Sequence, residues 1–244
     1  MSVLMRSVSG IRGIVGDTLT PLVLMTHVKA FLEVTGAKKV VIGRDSRPTG
    51  EQIASFVSGF CRMCGVHVVD VGLATTPSVE LFVTHTHADG GIIITASHNP
   101  LEWNALKFLN HDGVFLGPSE VNKLFALADA NDFKYPDYRQ MGNHSYLEDG
   151  DALHIEGTLL LPCVDVDAIR KAKFKVAIDS VNGAGSYIVP RLLEALGCHV
   201  VRVHCNPDGT FPRGAEPIPE NLGDLQNAVK THHCAIGFAV DPDA

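Results

Sequence analysis

The stretch Gly90-Gly91-Ile92-Ile93-Ile94-Thr95-Ala96-Ser97-His98-Asn99-Pro100 carries the strongest signal for both the fold and the chemistry of this chain. An isoleucine run bounded by glycines is typical of a buried strand in a parallel sheet, and the Asn-Pro pair then breaks the strand into a loop. Ser97 is therefore predicted to lie just beyond the carboxyl end of a buried strand, where open α/β sheets bind ligands. Because serine alone is a weak nucleophile, His98 and Lys107, which we expect in the same loop, are candidates to activate it. For a lone serine–histidine pair, an ordinary polar loop is the simpler interpretation.

A strand–helix–strand pattern occurs twice along the chain. The first copy begins at Lys39-Val40-Val41-Ile42 and ends with Gly65-Val66-His67-Val68-Val69-Asp70-Val71. The second begins at Lys175-Val176-Ala177-Ile178 and ends with Gly197-Cys198-His199-Val200-Val201-Arg202-Val203, which matches the first at five of seven positions. Each copy predicts a βαβ unit, in which a helix ended by glycine connects two parallel strands. Two copies predict two similar domains, and a chance similarity between two βαβ units is the alternative.

A polar stretch separates the two copies. Residues 131–150 contain Pro136, Gly142 and Gly150 and show little apolar periodicity. We place the domain boundary in the second half of this stretch, which gives domains of residues 1–147 and 148–244. The predicted fold class is α/β, with two tandem, similar three-layer domains built on mixed sheets.

The composition argues against several classes of function. The hydrophobic content of 45% and charged content of 19% are ordinary for a globular protein. A net charge of −7 argues against a nucleic-acid partner. No run approaches the ~18 apolar residues of a membrane span, and the first residues lack a signal-peptide pattern. We therefore expect a cytoplasmic protein with neither a nucleic-acid nor a membrane partner.

Of the six cysteines, Cys61 and Cys64 alone have a motif-like spacing. Such a pair can be a redox site or half of a zinc site. The simpler interpretation is two buried, reduced thiols on one face of a helix.

The hexapeptide from Thr95 to Pro100 resembles the phosphoserine loop of the α-D-phosphohexomutases, which comprise phosphoglucomutases, phosphomannomutases and phosphoglucosamine mutases. Four other stretches resemble signatures of the same family, in the family's order: Ser9-Gly10-Ile11-Arg12-Gly13, Gly43-Arg44-Asp45-Ser46-Arg47, Asn104-Ala105-Leu106-Lys107 and Asp241-Pro242-Asp243. The resemblance implies the first two of the family's domains, with the last stretch at the start of its Asp-x-Asp-x-Asp-Arg metal loop.

The resemblance also implies an activity. Family members are intramolecular phosphotransferases that interconvert hexose 6-phosphates and hexose 1-phosphates through a phosphoserine and a bisphosphorylated sugar. Ser97 would carry the phosphoryl group and Arg12 would contact it. His98 and Lys107 are both candidates for the general acid or base, and the sequence leaves the choice between them open.

The same resemblance implies a metal site and an activator. Mg²⁺ would be held by Asp241, Asp243 and the phosphate on Ser97, since this ion prefers oxygen ligands. A hexose 1,6-bisphosphate would serve as activator and intermediate. For Asp241-Pro242-Asp243 alone, a surface turn would be the simpler interpretation. We expect Arg44, Asp45 and Arg47 to form a buried ion-pair network that holds the first domain against the catalytic loop, in preference to direct contact with substrate.

Family members have four domains, of which this sequence matches two. We therefore expect an amino-terminal fragment that lacks domains III and IV of the same polypeptide and has little or no mutase activity by itself. The stretch Glu102-Trp103-Asn104-Ala105-Leu106-Lys107 is more similar to phosphoglucosamine mutases than to other members. A phosphorylated hexose is the expected substrate, with glucosamine phosphate favoured over glucose and mannose phosphates. The alternative is a fragment that binds metal or sugar phosphate without turnover.

Overall fold

The computed structural model describes residues 3–244, and the chain divides into two compact units. The first unit takes in the chain up to Arg44 together with Thr49–Ala96 and Glu102–Glu148. The second unit contains Asp149–Ala244 and two short segments from earlier in the chain, Asp45–Pro48 and Ser97–Leu101. We call Ser97–Leu101 the serine loop. The serine loop packs with the second unit, although a strand of the first unit ends three residues before it, at Ile94.

A seven-stranded mixed sheet forms the centre of the first unit. Its strands are β1 (Met5–Ser7), β2 (Gly10–Ile14), β3 (Lys39–Arg44), β4 (His67–Leu73), β5 (Gly90–Ile94), β6 (Trp103–Leu109) and β7 (His144–Tyr146). They lie in the order β1-β2-β6-β5-β3-β4-β7. The four neighbouring strands β5, β3, β4 and β7 pair in parallel. On the other side of β5, the strands β6, β2 and β1 continue the sheet with antiparallel pairing.

Helices cover both faces of this sheet. They are α1 (Pro21–Thr35), α2 (Gly50–Met63), α3 (Thr76–His85) and α4 (Pro118–Ala130). Ile92 and Ile94 of β5 belong to a hydrophobic core with Phe31 of α1 and Leu124 of α4. On the opposite face, Val83 of α3 lies against Gly91. Every residue of β5 is therefore buried, which explains its uninterrupted apolar sequence and confirms the predicted buried strand.

Local signals set the limits of α1. The Thr20 hydroxyl accepts a hydrogen bond from the Val23 amide, Pro21 occupies the first helical position, and Gly36 ends the helix with a left-handed φ of 63°. Each of these features satisfies or removes an unpaired backbone group at a helix end.

The second unit contains a three-stranded sheet. Its strands are β8 (Lys175–Asp179), β9 (His199–Val203) and β10 (Ile236–Ala239), in the order β10-β8-β9. Its helices are α5 (Gly150–Leu159), α6 (Val166–Ala172), α7 (Gly185–Ala195) and α8 (Gly223–Thr231). We expected mixed sheets in both domains, but these three strands all run parallel. The crossovers β8-α7-β9 and β9-α8-β10 run in opposite directions across the sheet, and right-handed connections then place α7 and α8 on opposite faces.

The repeat found in the sequence is a structural repeat. Both β3-α2-β4 and β8-α7-β9 are parallel βαβ units. Lys39 pairs with His67 in the first unit, and Lys175 pairs with His199 in the second, so the two copies also share their register. The copies lie in two separate sheets, which confirms the prediction of two α/β domains.

One local expectation needs correction. Lys107 does not lie in the serine loop but in β6, where it pairs with Gly10 on one side and Ile93 on the other.

The polar stretch of residues 131–150 contains β7 and a short 3₁₀ helix at Tyr138–Gln140. Neither element has the apolar periodicity by which longer elements are recognised.

The two motif-spaced cysteines lie at the end of α2. Cys61 is fully buried and Cys64 partly buried, and burial raises the pKa of both thiols. The burial of these thiols agrees with their interpretation as packing residues. None of the helices described within residues 3–244 is long and apolar enough to cross a membrane.

Buried His27 of α1 should make the stability of the chain depend on pH. Its Nδ1 lies 2.8 Å from the Val23 carbonyl oxygen, its Nε2 is buried without a partner, and burial lowers its pKa. A histidine whose pKa is lowered by folding binds its proton more readily in the unfolded chain, so the free energy of unfolding should fall as the pH drops below about 6.5.

Urea unfolding of the wild type and His27→Gln at a series of pH values between about 5 and 8 tests this expectation. The substitution should flatten the pH dependence. His232→Gln is the matched control, because the His232 side chain is exposed, and it should leave the pH dependence unchanged. A slope that His27→Gln leaves unchanged would show that His27 does not cause it.

Candidate functional site

Ser97 lies at the start of a loop with an unusual backbone conformation. It follows the last residue of β5 by three positions and has a left-handed φ of 50°. Such a φ is uncommon for residues other than glycine and is often found at functional sites. The Ser97 Oγ donates a hydrogen bond of 2.6 Å to Oδ2 of Asp241. The structure therefore brings together the predicted nucleophile and one of the predicted metal ligands.

Asp241 and Asp243 lie in the loop after β10, which we call the aspartate loop (residues 241–243). Asp241 is half-buried and Asp243 is buried. The Pro242 carbonyl accepts a hydrogen bond of 2.8 Å from the Ala184 amide. A side chain at Gly183 would overlap the backbone of Pro242. The aspartate loop is therefore packed closely against the turn that leads into α7.

The other predicted catalytic residues are placed as follows. His98 is exposed in the serine loop. Arg12 pairs with Ala105, and Lys107 pairs with Gly10, across the antiparallel strands β2 and β6. Because opposed residues and alternate residues share one face of a sheet, Arg12 and Lys107 lie on the same face of the first sheet. The convergence of this pair with Ser97 stays a prediction.

Arg47 holds the backbone of the serine loop. Its Nη1 donates to the Pro100 carbonyl at 2.6 Å, and its Nη2 donates to the carbonyls of Ser97 and Asn99 at 2.6 and 2.7 Å. Its Nε donates to Oδ2 of Asp45 at 3.1 Å. Both side chains of this ion pair are fully buried, as the sequence led us to expect for Asp45 and Arg47.

The charge on Arg47 is balanced by carboxylates around it. Burial lowers its pKa, while Asp45 and, more weakly, Asp243 and Asp241 raise it. A guanidinium remains charged under nearly all conditions in proteins. The charge of the buried Arg47 guanidinium is therefore compensated mainly by Asp45, and to a smaller extent by the two carboxylates of the aspartate loop.

A further segment, which the sequence analysis did not identify, packs against Ser46 and Arg47. We call residues 206–213 the bridging segment. Its Phe211 ring lies 5.1 Å from the guanidinium carbon of Arg47, and its Gly209 packs against the backbone of Ser46. The Ser46 hydroxyl donates to the Asn182 carbonyl at 2.7 Å, and the Asn182 side chain accepts from the Asn206 amide at 3.0 Å.

A second buried arginine, Arg213, lies at the end of the bridging segment, and the sequence analysis did not identify it either. The Nε of Arg213 lies 3.0 Å from Oδ2 of Asp179, with both side chains buried. Its Nη2 donates to the Val240 carbonyl at 2.6 Å, directly before Asp241. The Nδ1 of His204 lies 3.1 Å from the same carboxylate oxygen. No local pattern identifies Arg213, since its acidic partner lies in a distant strand.

The oxygen atoms of Ser97, Asp241 and Asp243 are hard ligands of the type that Mg²⁺ prefers. Within residues 3–244 no group of three or more His, Cys, Asp or Glu side chains is arranged to hold a metal ion. The predicted set contains two carboxylates, so it depends on Ser97 for a third ligand. The 2.6 Å contact between Ser97 and Asp241 brings two of these donors close enough to share one ion.

Comparison with known proteins identifies the family to which this chain belongs. Residues 4–135 match the family model of phosphoglucomutase/phosphomannomutase α/β/α domain I, and residues 154–244 match α/β/α domain II of the same family. The chain belongs to the phosphoglucomutase/phosphomannomutase family.

Individual relatives support this assignment. The chain is 37% identical to a "probable phosphoglucosamine mutase" of Methanopyrus kandleri, over 97% of this chain and 51% of the relative. It is also 37% identical to a phosphoglucomutase/phosphomannomutase of Thermococcus kodakarensis, over 96% of this chain and 52% of the relative. A solved phosphoglucomutase/phosphomannomutase family protein from Burkholderia thailandensis superposes with a TM-score of 0.79 at 28% identity, covering 98% of this chain and 54% of that one. The chain thus spans about half the length of the curated relatives it matches.

Gly209→Ala should disrupt the contact between the bridging segment and Ser46. Gly209 has a φ of 71°, and an added Cβ would overlap the Ser46 carbonyl oxygen. We expect a loss of about 2 kcal/mol or more in the free energy of unfolding, because both the backbone conformation and the packing become strained.

Gly223→Ala at the start of α8 is the matched control, since nothing lies within contact distance of its added Cβ. It should change stability by about 1 kcal/mol or less. Urea unfolding monitored by circular dichroism measures both variants, and equal losses would contradict the proposed close packing at Gly209.

Proposed function

We propose that this chain provides the phosphoryl-transfer half of a phosphohexomutase, in which Ser97 carries the phosphoryl group between two hydroxyls of a hexose. The observation that most supports this proposal is the 2.6 Å hydrogen bond between Ser97 Oγ and Asp241 Oδ2. It joins two family-like signatures that are distant in the sequence. Membership of the phosphoglucomutase/phosphomannomutase family supports the same reaction class.

A serine phosphate suits this reaction because its oxygen can act as both leaving group and nucleophile. In the first transfer, the bond between phosphorus and Ser97 Oγ breaks as a sugar hydroxyl oxygen bonds to phosphorus, and the hydroxyl proton passes to a base. The product is a bisphosphorylated hexose. In the second transfer, Ser97 Oγ takes the other phosphoryl group, and the sugar oxygen that leaves regains a proton. Little covalent work falls to the protein, so positioning and charge stabilisation carry the catalysis.

Arg12 and either Lys107 or His98 complete the proposed machinery. A guanidinium binds phosphate oxygens through two parallel hydrogen bonds, which suits Arg12 to orient the transferring group. Lys107 shares a sheet face with Arg12, whereas His98 is next to Ser97 and exposed. Both remain candidates for the general acid or base.

Asp241, Asp243 and the phosphate on Ser97 would hold Mg²⁺, as their oxygen chemistry allows. When bound, the ion would neutralise negative charge on the phosphoryl oxygens. A hexose 1,6-bisphosphate would act as the activator that first phosphorylates Ser97. Glucosamine phosphate is the favoured sugar, in line with the stretch from Glu102 to Lys107 and with the relative from Methanopyrus kandleri. Glucose and mannose phosphates are the alternatives, supported by the name of the Thermococcus kodakarensis relative.

Phosphorylation of Ser97 tests the proposal directly. Incubation with Mg²⁺ and glucosamine or glucose 1,6-bisphosphate should add one phosphate group to the wild type, detected by mass spectrometry of the intact protein and of its peptides. Ser97→Ala should remove this addition. Ser119→Ala, at an exposed serine of α4, is the control and should leave it unchanged. Phosphate on any serine other than Ser97 would contradict the assignment.

Turnover should require more than these 244 residues, because the matched relatives are about twice as long. Oriented binding can contribute about 7–11 kcal/mol to such transfers, and loss of half of it slows a reaction by roughly three orders of magnitude. We therefore propose that a chain of this length, assayed alone, is nearly inactive. The alternative function is that of a fragment that binds metal or sugar phosphate without any turnover.

A coupled mutase assay with glucosamine, glucose and mannose 6-phosphates measures this deficit against a complete relative such as that of Thermococcus kodakarensis. The order of rates among the three sugars in the complete protein tests the substrate proposal. Turnover by the 244-residue chain within about tenfold of the complete relative would contradict the requirement for further domains.

A further inference from the structure

We propose that Arg47 and Arg213 are a matched pair of positioning residues, each of which fixes the backbone of one of the two loops that meet at Ser97 and Asp241. The proposal concerns how these loops are held, and it rests on the proposed function only for its activity readout. Neither arginine is proposed to touch the substrate.

The two arginines make similar contacts, although the Nε of Arg47 donates a hydrogen bond to its aspartate, whereas the Nε of Arg213 forms an ion pair whose geometry is not that of a hydrogen bond. Each side chain is buried, and the Nε of each lies close to the Oδ2 of a fully buried aspartate. The distance is 3.1 Å between Arg47 and Asp45 and 3.0 Å between Arg213 and Asp179. The terminal nitrogens of each arginine then donate to backbone carbonyls. Arg47 donates to three carbonyls of the serine loop. Arg213 donates through Nη2 to Val240, the residue before Asp241, and through Nη1 to its own neighbour Gly214 at 3.3 Å.

The aspartates of both pairs lie at the end of the first strand of each repeat, although not at equivalent positions, because Asp45 follows Lys39 by six residues and Asp179 follows Lys175 by four. Asp45-Ser46 directly follows β3, and Asp179-Ser180 lies at the end of β8. Both carboxylates also accept a backbone amide two residues later: Arg47 N donates to Asp45 at 3.0 Å, and Val181 N donates to Asp179 at 2.9 Å. An aspartate at the end of a strand therefore pairs with an arginine in each copy, although the two aspartates differ in register and the two arginines come from different parts of the chain.

The bridging segment couples the two arginines. Phe211 lies against the guanidinium of Arg47, and Arg213 follows it by two residues. A displacement of this segment would therefore disturb the supports of both loops. Because Ser97 Oγ and Asp241 Oδ2 meet at 2.6 Å, a shift of either loop separates them.

The planar fork of arginine is essential to this role. It offers five donors in fixed directions, whereas lysine offers three donors on a single rotating nitrogen. Arg47→Lys and Arg213→Lys retain the positive charge opposite each aspartate but cannot reproduce the contacts to the carbonyls. A misplacement of about 1 Å can cost about 100-fold in rate, so each substitution should slow Ser97 phosphorylation by about 10- to 100-fold.

The matched control is Arg191→Lys. Arg191 also belongs to the second unit and pairs with two carboxylates, those of Asp149 and Asp151. Its side chain is exposed, and both of these carboxylates lie outside the serine loop and the aspartate loop. It should leave the phosphorylation rate unchanged. Urea unfolding of all three variants establishes that each is folded under the assay conditions.

Two measurements on the full 244-residue chain test the proposal. The first is the rate of Ser97 phosphorylation as a function of the concentration of glucose 1,6-bisphosphate with Mg²⁺. The maximal rate should fall in Arg47→Lys and Arg213→Lys, while the half-saturating concentration stays within about twofold of the wild type, because substrate contacts are retained. A purely structural role would lower stability without this separation.

The second measurement is amide hydrogen exchange followed by mass spectrometry of peptides, which needs no reaction. Arg47→Lys should speed exchange in residues 97–101, and Arg213→Lys should speed it in residues 240–244, with the strands β3 and β8 unchanged. Exchange that rises uniformly across the second unit, or in neither loop, would overturn the proposal. If wild-type Ser97 does not react at all, the proposed function fails, whereas the exchange result still decides whether these arginines position the loops.

Discussion

The buried ion pair between Asp45 and Arg47 is the interaction on which the arrangement around Ser97 depends. A buried charge is costly unless it is paired and its hydrogen-bonding groups are satisfied. Here the carboxylate of Asp45 and the carbonyls of Ser97, Asn99 and Pro100 together satisfy the guanidinium. The requirement is reciprocal, since these carbonyls would lose a charged donor if the loop moved. The serine loop is therefore fixed by its backbone, which leaves the Ser97 side chain available for chemistry.

The second constraint is the position of both loops at the ends of strands. The serine loop follows β5 of the first sheet and the aspartate loop follows β10 of the second, and in each case the carboxyl end of a parallel strand is where open α/β sheets present ligand-binding side chains. The left-handed backbone of Ser97, with a φ of 50°, and that of Val181, with a φ of 46°, lie in the segments that follow β5 and β8. Such conformations are costly for a β-branched residue and persist when surrounding contacts determine them. The buried Asp179 carboxylate, which accepts the Val181 amide, is one such contact.

These two constraints together explain how a chain with two compact units can present one set of oxygen ligands. Asp45–Pro48 and the serine loop pack with the second unit, so the nucleophile and the aspartate loop share one local environment. The hydroxyl of Ser97 is held by Asp241 in a short, charge-assisted hydrogen bond. In the proposed reaction, the same oxygen atoms would surround the phosphate and its counter-ion. A carrier serine needs such a fixed set of ligands, because phosphoryl transfer depends on alignment more than on covalent participation by the protein.

The sequence by itself determined what short-range physics controls. The buried strand β5, the capped helix α1 and the two βαβ units followed from apolar periodicity, capping residues and glycine positions, and adjacency in the sequence indicated the Asp45–Arg47 pair. Tertiary structure decided the rest. Lys107 lies in β6 because two neighbouring strands pair with it, and the three strands of the second sheet run parallel because a helical crossover connects each strand to the next. The pairing of Arg213 with Asp179 and the support that residues 206–213 give to Arg47 join positions far apart in the chain. Such contacts form when the whole fold brings them together, and no local pattern records them.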